Sequence, residues 1–189
     1  MDYVYMTTKS PVGELKLVAR GGKLAAILWE NDKPTRIRLG ALREDSGSPV
    51  LLETARQLSE YFAGSRTQFD VEMDFAGTEF QKQVWAALLT IPFGDTRSYS
   101  DIAHQIGRPA AVRAVGAANG KNPISIIAPC HRVIGMSGDL TGFAGGLHAK
   151  ETLLMLEGAA ALKREKRPAA RRTEKVDHST QGLLFETAV

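Results

Sequence analysis

The chain has 189 residues with a formal charge of +3, 43% hydrophobic and 24% charged side chains, which suits a globular protein of one or two small domains and argues against wholesale disorder. Its single cysteine excludes an internal disulfide and a zinc site built from several thiolates, and it fits a reducing compartment. The opening residues Met1-Asp2-Tyr3-Val4-Tyr5 lack a basic stretch followed by an apolar core, and no apolar run reaches membrane-spanning length, so a cytoplasmic protein without a membrane contact is expected.

In chain order, residues 3–8, 14–20 and 24–30 are short β-branched or apolar runs separated by Pro11, Gly13 and Gly21-Gly22. They predict an antiparallel meander, with Thr35 to Leu39 as an edge strand. Pro49 then opens a helix that carries Leu52, Ala55, Leu58 and Phe62 at helical spacing and closes at Gly64. Gln68 to Phe75 alternates as a further strand. This delimits a small N-terminal α/β domain, residues 1–75, in which the sequence reveals no chemistry.

Residues 76–158 read as a mostly helical second domain, giving an α+β fold. Thr78 and Gln81 form a capping box ahead of a helix with Phe80, Val84, Trp85 and Leu88 on one face. Ser98 and Asp101 repeat the pattern before a short helix with Ile102, Ala103 and Ile106 inward. Gly107 ends it, Pro109 begins the next turn, and Ala110 to Asn119 is a second short helix, so the pair reads as a helix-turn-helix. An apolar run, Ile124 to Ala128, is expected to be a buried strand leading to Pro129-Cys130-His131-Arg132-Val133. Residues 135–146 are a glycine-rich loop, and Lys150 to Leu156 predicts a last helix before Glu157-Gly158. Residues 159–189 form a basic tail expected to be disordered, with an apolar motif, Gln181-Gly182-Leu183-Leu184-Phe185, near its end.

The charge is unevenly placed. Residues 163–180 and residues 96–135 each carry a net +4, so the remainder is net negative. Basic clusters of this kind suit a polyanionic partner. The second helix of the pair is lined with small residues, Ala110-Ala111-Val112-Arg113-Ala114-Val115-Gly116-Ala117-Ala118-Asn119. It lacks the long polar side chains of a base-reading helix, which disfavours a sequence-specific regulator. A smooth helix with one long cation suits a sequence-indifferent DNA binder in which Arg113 enters the stack as a nucleotide leaves it. Cys130, next to His131, is the candidate nucleophile, because the thiolate is the reactive form and imidazole can take its proton near neutral pH. Adjacent residues on a tight turn point apart, so a direct Cys130–His131 ion pair of the thiol-hydrolase kind is not expected.

Arg113-Ala114-Val115-Gly116, Asn122-Pro123, Pro129-Cys130-His131-Arg132-Val133-Ile134-Gly135, Gly145-Gly146, Lys150 and Leu156-Glu157-Gly158 together resemble the O6-alkylguanine-DNA alkyltransferases, over roughly residues 3 to 158. The resemblance implies a single-use repair protein that moves the alkyl group of O6-alkylguanine, and of O4-alkylthymine as a secondary substrate, from duplex DNA to Cys130. It implies that His131 relays the thiol proton through a water and that Glu157 orients His131. It further implies that Tyr99 donates a proton to N3 of the flipped guanine, Asn122 braces the turn before the cysteine, and the Cys130 and Val133 carbonyls meet the guanine amino group. The Ala144 N–H would hold O6, Phe143 and Lys150 would shape the pocket loop, and Arg113, Ser100 and Arg108 would face DNA. Phe143 stands where many family members carry tyrosine, so the ring packing is kept and a hydroxyl lost. No metal or organic cofactor is implied, and the protein is expected to act as a monomer. The tail motif is similar to Gln-x-x-Leu-Phe peptides that dock on sliding clamps, with Gln181, Leu184 and Phe185 as anchors.

Overall fold

Three hydrogen-bonded strands, β1 (Tyr3–Ser10), β2 (Gly13–Arg20) and β3 (Lys23–Trp29), form the expected meander. The structure is a computed structural model, and it describes residues 2–159. The tail from residue 160, with the Gln181–Phe185 motif, lies outside the described residues. Ala159, read from sequence as the tail's first residue, is buried with Ile134 and Leu154.

A fourth strand, β4 (Leu42–Glu44), pairs with β1 in parallel, so the sheet order is β3-β2-β1-β4 and the sheet is mixed at that edge. The edge strand expected at Thr35–Leu39 is corrected to turns and irregular backbone. There the Arg36 N–H donates to the Lys33 carbonyl at 2.9 Å, and the Arg36 side chain folds back onto Asp32. Helix α1 (Pro49–Phe62) starts with proline in its first turn and buries Leu51, Leu58 and Tyr61 against the sheet.

The strand expected at Gln68–Phe75 reduces to one parallel bridge, Met73 to Leu24. The Gln57 side-chain amide takes the place of a strand partner: it donates to the Asp70 carbonyl at 2.9 Å and accepts from the Asp70 N–H at 2.8 Å. Backbone N–H and C=O groups at a half-buried edge still need partners, and here a neighbouring amide side chain serves Asp70.

Helices α2 (Glu79–Leu89) and α3 (Tyr99–Gln105) each begin with the capping box read from the sequence. A 3-10 turn at Pro109–Ala111 leads into α4 (Val112–Gly120), completing the helix-turn-helix with α3. Trp85 of α2 is core, and its indole N–H donates to the Ala118 carbonyl of α4 at 2.9 Å. Two-residue strands β5 (Arg97–Ser98) and β6 (Val133–Ile134) pair in parallel, and α5 (Gly146–Leu156) closes the described chain.

The run Ile124–Ala128 is buried as expected but is not a strand. Ile124 bridges Ile27 of β3, and the chain then turns back so that the Ala128 N–H donates to the Ile124 carbonyl at 2.9 Å. Ile126 sits at φ 75, a left-handed conformation that a β-branched residue adopts only when its surroundings impose it. This turn joins the two halves of the chain: Ile124, Ile126 and Ile127 pack with the sheet and α1, whereas Cys130 packs with α2, α3 and α4.

Candidate active site

Asn122 builds the turn that delivers the cysteine. Its side-chain amide donates to the Ala128 carbonyl at 2.7 Å, and its side-chain oxygen accepts from the Ile124 N–H at 3.1 Å. Both ends of the strained loop are thus pinned by one buried side chain. Cys130 then opens a 3-10 turn, Cys130–Arg132, with its sulfur 3.9 Å from the Ser125 hydroxyl and only 3% of the residue exposed. Burial pushes the thiol's pKa up, and the polar groups of Asn122 and Ser125 offset part of that rise. The resting sulfur is therefore a neutral thiol.

His131 is fully buried. Its Nε2 lies 2.8 Å from Glu157 Oε1, at the C-terminal end of α5, so the 26-residue separation is closed by the last helix folding back. Burial pushes the His131 pKa down, and the neighbouring Glu157 carboxylate opposes this. With Nε2–H directed at the carboxylate, the neutral ring carries its lone pair on Nδ1, which no described residue reaches. No hydrogen bond joins Cys130 to His131 among the described residues, in accord with the expectation that adjacent residues on a tight turn point apart.

Glu157 is the hub. Oε1 accepts from the Tyr61 hydroxyl at 2.7 Å and from Arg132 Nη2 at 2.9 Å as well as from His131, and Oε2 accepts from Arg132 Nε at 2.8 Å. Burial alone would push this carboxyl up, but the donors from His131 and Arg132 outweigh it and hold the group at about 2. The two-point Arg132 contact is the geometry that best compensates a buried carboxylate. Gly94, at φ 79, brings its N–H to 3.4 Å from Oε2, and a side chain there would crowd the Glu157 carbonyl.

A cleft of about 740 Å³ lies beside this buried group; Cys130, His131, Val133, Lys150 and Glu157 do not line it, and Tyr99 and Phe143 connect the two. Its lining includes Tyr99, Val112, Arg113, Thr141, Phe143 and Ala144 together with Asn31, Lys33 and Arg36 from the loop after β3. Tyr99 and Phe143 also pack against the cluster that contains Cys130, and the Phe143 ring stands edge-on to His131 at 6.4 Å. The Tyr99 hydroxyl accepts from Thr141 at 3.0 Å. Lys150 is buried and donates to the Val133 carbonyl at 2.6 Å and the Thr141 carbonyl at 2.9 Å. Arg113 is exposed on α4 with no ion pair to a described residue. Ser100 and Arg108 do not line the cleft: Ser100 is half-buried on α3, and the Arg108 guanidinium lies over the Phe80 ring at 6.0 Å. Among the described residues, no three His, Cys, Asp or Glu side chains are grouped to hold a metal.

Three residues bonded to this group carry no signal of their own in the sequence reading. Arg132 stands in the cysteine motif itself, and its adjacency to Cys130 and His131 was the available signal. Tyr61 and Arg36 come from residues 1–75, which read as free of chemistry; this is corrected, because Tyr61 bonds Glu157 and Arg36 donates to the Asn122 carbonyl. Neither carries a local signature, since each meets its partner only through the folded chain.

Two family models match: the 6-O-methylguanine DNA methyltransferase ribonuclease-like domain over residues 3–75 and the 6-O-methylguanine DNA methyltransferase DNA binding domain over residues 79–159. A methylated-DNA–protein-cysteine methyltransferase of Mycobacterium tuberculosis is 52% identical over 159 residues, covering 83% of this chain and 93% of that protein. One of Methanosarcina mazei is 58% identical over 155 residues, covering 81% and 96%. The crystal structure of Mycobacterium tuberculosis OGT in complex with DNA superimposes with a TM-score of 0.75 at 49% identity, covering 86% of this chain and 98% of that one.

Proposed function

This chain belongs to the 6-O-methylguanine DNA methyltransferase family, the methylated-DNA–protein-cysteine methyltransferases of DNA repair, and we propose that it moves the alkyl group of O6-alkylguanine in duplex DNA onto its own Cys130. The observation that carries this reading is a buried lone thiol adjacent in sequence to His131, whose Nε2 lies against the Glu157 carboxylate and whose Nδ1 is bonded by no described residue and is open to accept a proton.

The reaction is a displacement at the alkyl carbon. The sulfur–carbon bond forms as the carbon–O6 bond breaks, and the bonding pair leaves on guanine. The thiol proton passes through a water to His131 Nδ1, and Glu157 stabilises the imidazolium that results. Tyr99 donates a proton to N3, so that guanine leaves neutral. The thioether is stable to water, so each molecule acts once, and no cofactor enters the step.

The base reaches the cleft by nucleotide flipping, with Arg113 filling the gap it leaves and Ser100 and Arg108 contacting the backbone. At the buried group beside the cleft, the Cys130 and Val133 carbonyls meet the guanine amino group and the Ala144 N–H meets O6. Asn122 fixes the turn, Phe143 packs the floor and Lys150 ties down the loop. O4-alkylthymine is a secondary substrate in this reading. A Cys130→Ala variant should bind alkylated duplex as wild type does and transfer nothing; residual transfer would overturn the assignment. A lone reduced thiol fits a cytoplasmic protein, acting as a monomer. Among the described residues, no helix is long and apolar enough to cross a membrane.

For the tail motif outside the described residues, docking on the replication sliding clamp is proposed, with Gln181 in a polar subsite and Leu184 and Phe185 as apolar anchors. It would raise the local concentration of a single-use protein at newly copied DNA. A peptide of residues 176–189 should bind clamp at roughly micromolar strength and lose binding on Phe185→Ala. Absent binding by the intact protein would reject it.

A further inference from the structure

Tyr61 occupies the last turn of α1, 96 residues before Glu157, and its side chain is completely buried. Its ring packs among Phe62, Phe69 and Phe93 at centroid distances of 5.3, 5.4 and 6.2 Å, which accounts for an aromatic residue there. It does not account for the hydroxyl. Among the described residues that group makes one hydrogen bond, 2.7 Å to Glu157 Oε1, the same oxygen that faces His131 Nε2. A phenol is costly to bury unless its O–H is satisfied, so phenylalanine would be the simpler residue if packing were the only need.

We infer that Tyr61 is a positioning residue for proton transfer: its O–H draws off part of the charge on Glu157 Oε1 and so limits how strongly that oxygen holds a proton on His131. The inference rests on the proposed role of His131 as the base. The groups facing Glu157 are Tyr61 from α1, the Gly94 N–H from the α2–β5 loop, and His131 and Arg132 from the cysteine turn; Lys150 of α5 adds a positive charge near His131. Arg132, bonded at two points, keeps the carboxylate ionised. Tyr61 therefore has little to do for the ionisation of Glu157 and acts on how Oε1 is shared. Without the phenol, Oε1 becomes the better acceptor for His131 Nε2–H, and the imidazolium is favoured. Burial has pushed the Tyr61 phenol's own pKa up, so it remains a donor across the working range.

The test is Tyr61→Phe in the full chain, with two readouts. The His131 imidazole, followed by nitrogen NMR in the free protein, should titrate at a pH higher by about half a unit to one unit. The acidic limb of the single-turnover alkyl-transfer profile should move up by the same amount, so that transfer on that limb slows by roughly three- to ten-fold. Phe69→Leu, which removes a ring from the same cluster and leaves the hydroxyl, should lower thermal stability and move neither readout. An unmoved His131 titration in Tyr61→Phe overturns the inference. A moved titration with an unmoved rate profile overturns it differently, by removing His131 from the proton path, which is the reading it depends on.

Discussion

The Lys150 ammonium nitrogen lies 2.6 Å from the Val133 carbonyl oxygen, and both residues are completely buried. A second carbonyl, that of Thr141, completes the contact at 2.9 Å, and no described carboxylate pairs with this lysine. One cation thereby ties the strand after the cysteine to the loop that carries Phe143 and Ala144. Burial pushes its pKa down to about 8 from an ordinary 10.5.

The sign of the resulting pH dependence follows from linkage. The folded chain releases this proton near pH 8 and the unfolded chain near 10.5, so between them the unfolded state binds more protons. Burying the Lys150 cation thus costs stability below about pH 8, and that cost is relieved as pH rises across the window, on the order of 3 kcal/mol in full. Lys150→Met should lack the rise, and the difference between the two proteins in urea midpoint against pH isolates it. Parallel curves would show that Lys150 is not a desolvated cation.

Glu157 behaves in the opposite sense. Its folded pKa of about 2 lies below the ordinary 4.5, so its contribution is complete above about pH 4.5 and is lost as pH falls toward 2. Arg132→Met should destabilise the fold by about 3–5 kcal/mol, because it leaves a buried carboxylate short of its principal counter-charge. It should also move the onset of acid unfolding to higher pH. A loss below about 1 kcal/mol would mean that Arg132 is not the group that compensates Glu157.

Gly145 lies against the Trp29 ring so closely that an added Cβ would sit 2.6 Å from ring carbon Cε3. Gly145→Ala should cost about 1–3 kcal/mol by overpacking. It should also slow transfer, because Phe143, which packs edge-on against Trp29 at 5.3 Å, and Ala144 share the displaced loop. Trp29→Leu in the same chain should recover part of both losses. A double-mutant cycle without coupling would show that the sheet does not set the depth of the loop.

Arg113→Ala should lower repair of duplex substrate by roughly ten-fold or more and leave reaction with free O6-benzylguanine within about a factor of three, since a free base needs no extrusion. Equal losses on both substrates would give Arg113 a role in the pocket and none in opening the duplex.

The parts legible in the sequence are those specified locally. Both capping boxes, the helix-turn-helix and the Cys130-His131 turn lie within a few residues of their own signals. Ile124–Ala128 has the composition of a strand, yet its backbone is committed to a turn that Asn122 clasps and Ile126 enters at positive φ, and composition does not encode that choice. Gln68–Phe75 alternates correctly but meets a glutamine amide at Asp70 and the β3 strand only at the Met73 bridge. The resemblance supplied Glu157 as the partner of His131, and the geometry brings them together. Tyr61 and Arg36 had no such route, because their partners lie 96 and 86 residues away in the chain.

The most direct test is the intact mass of the protein after incubation with one equivalent of duplex DNA containing O6-methylguanine, followed by peptide mapping. The expected result is one methyl group per protein molecule, on Cys130, with guanine restored in the DNA, no second turnover, and no adduct on a Cys130→Ser variant. Methyl found on another residue, guanine restored with the protein mass unchanged, or more than one turnover per molecule would contradict it.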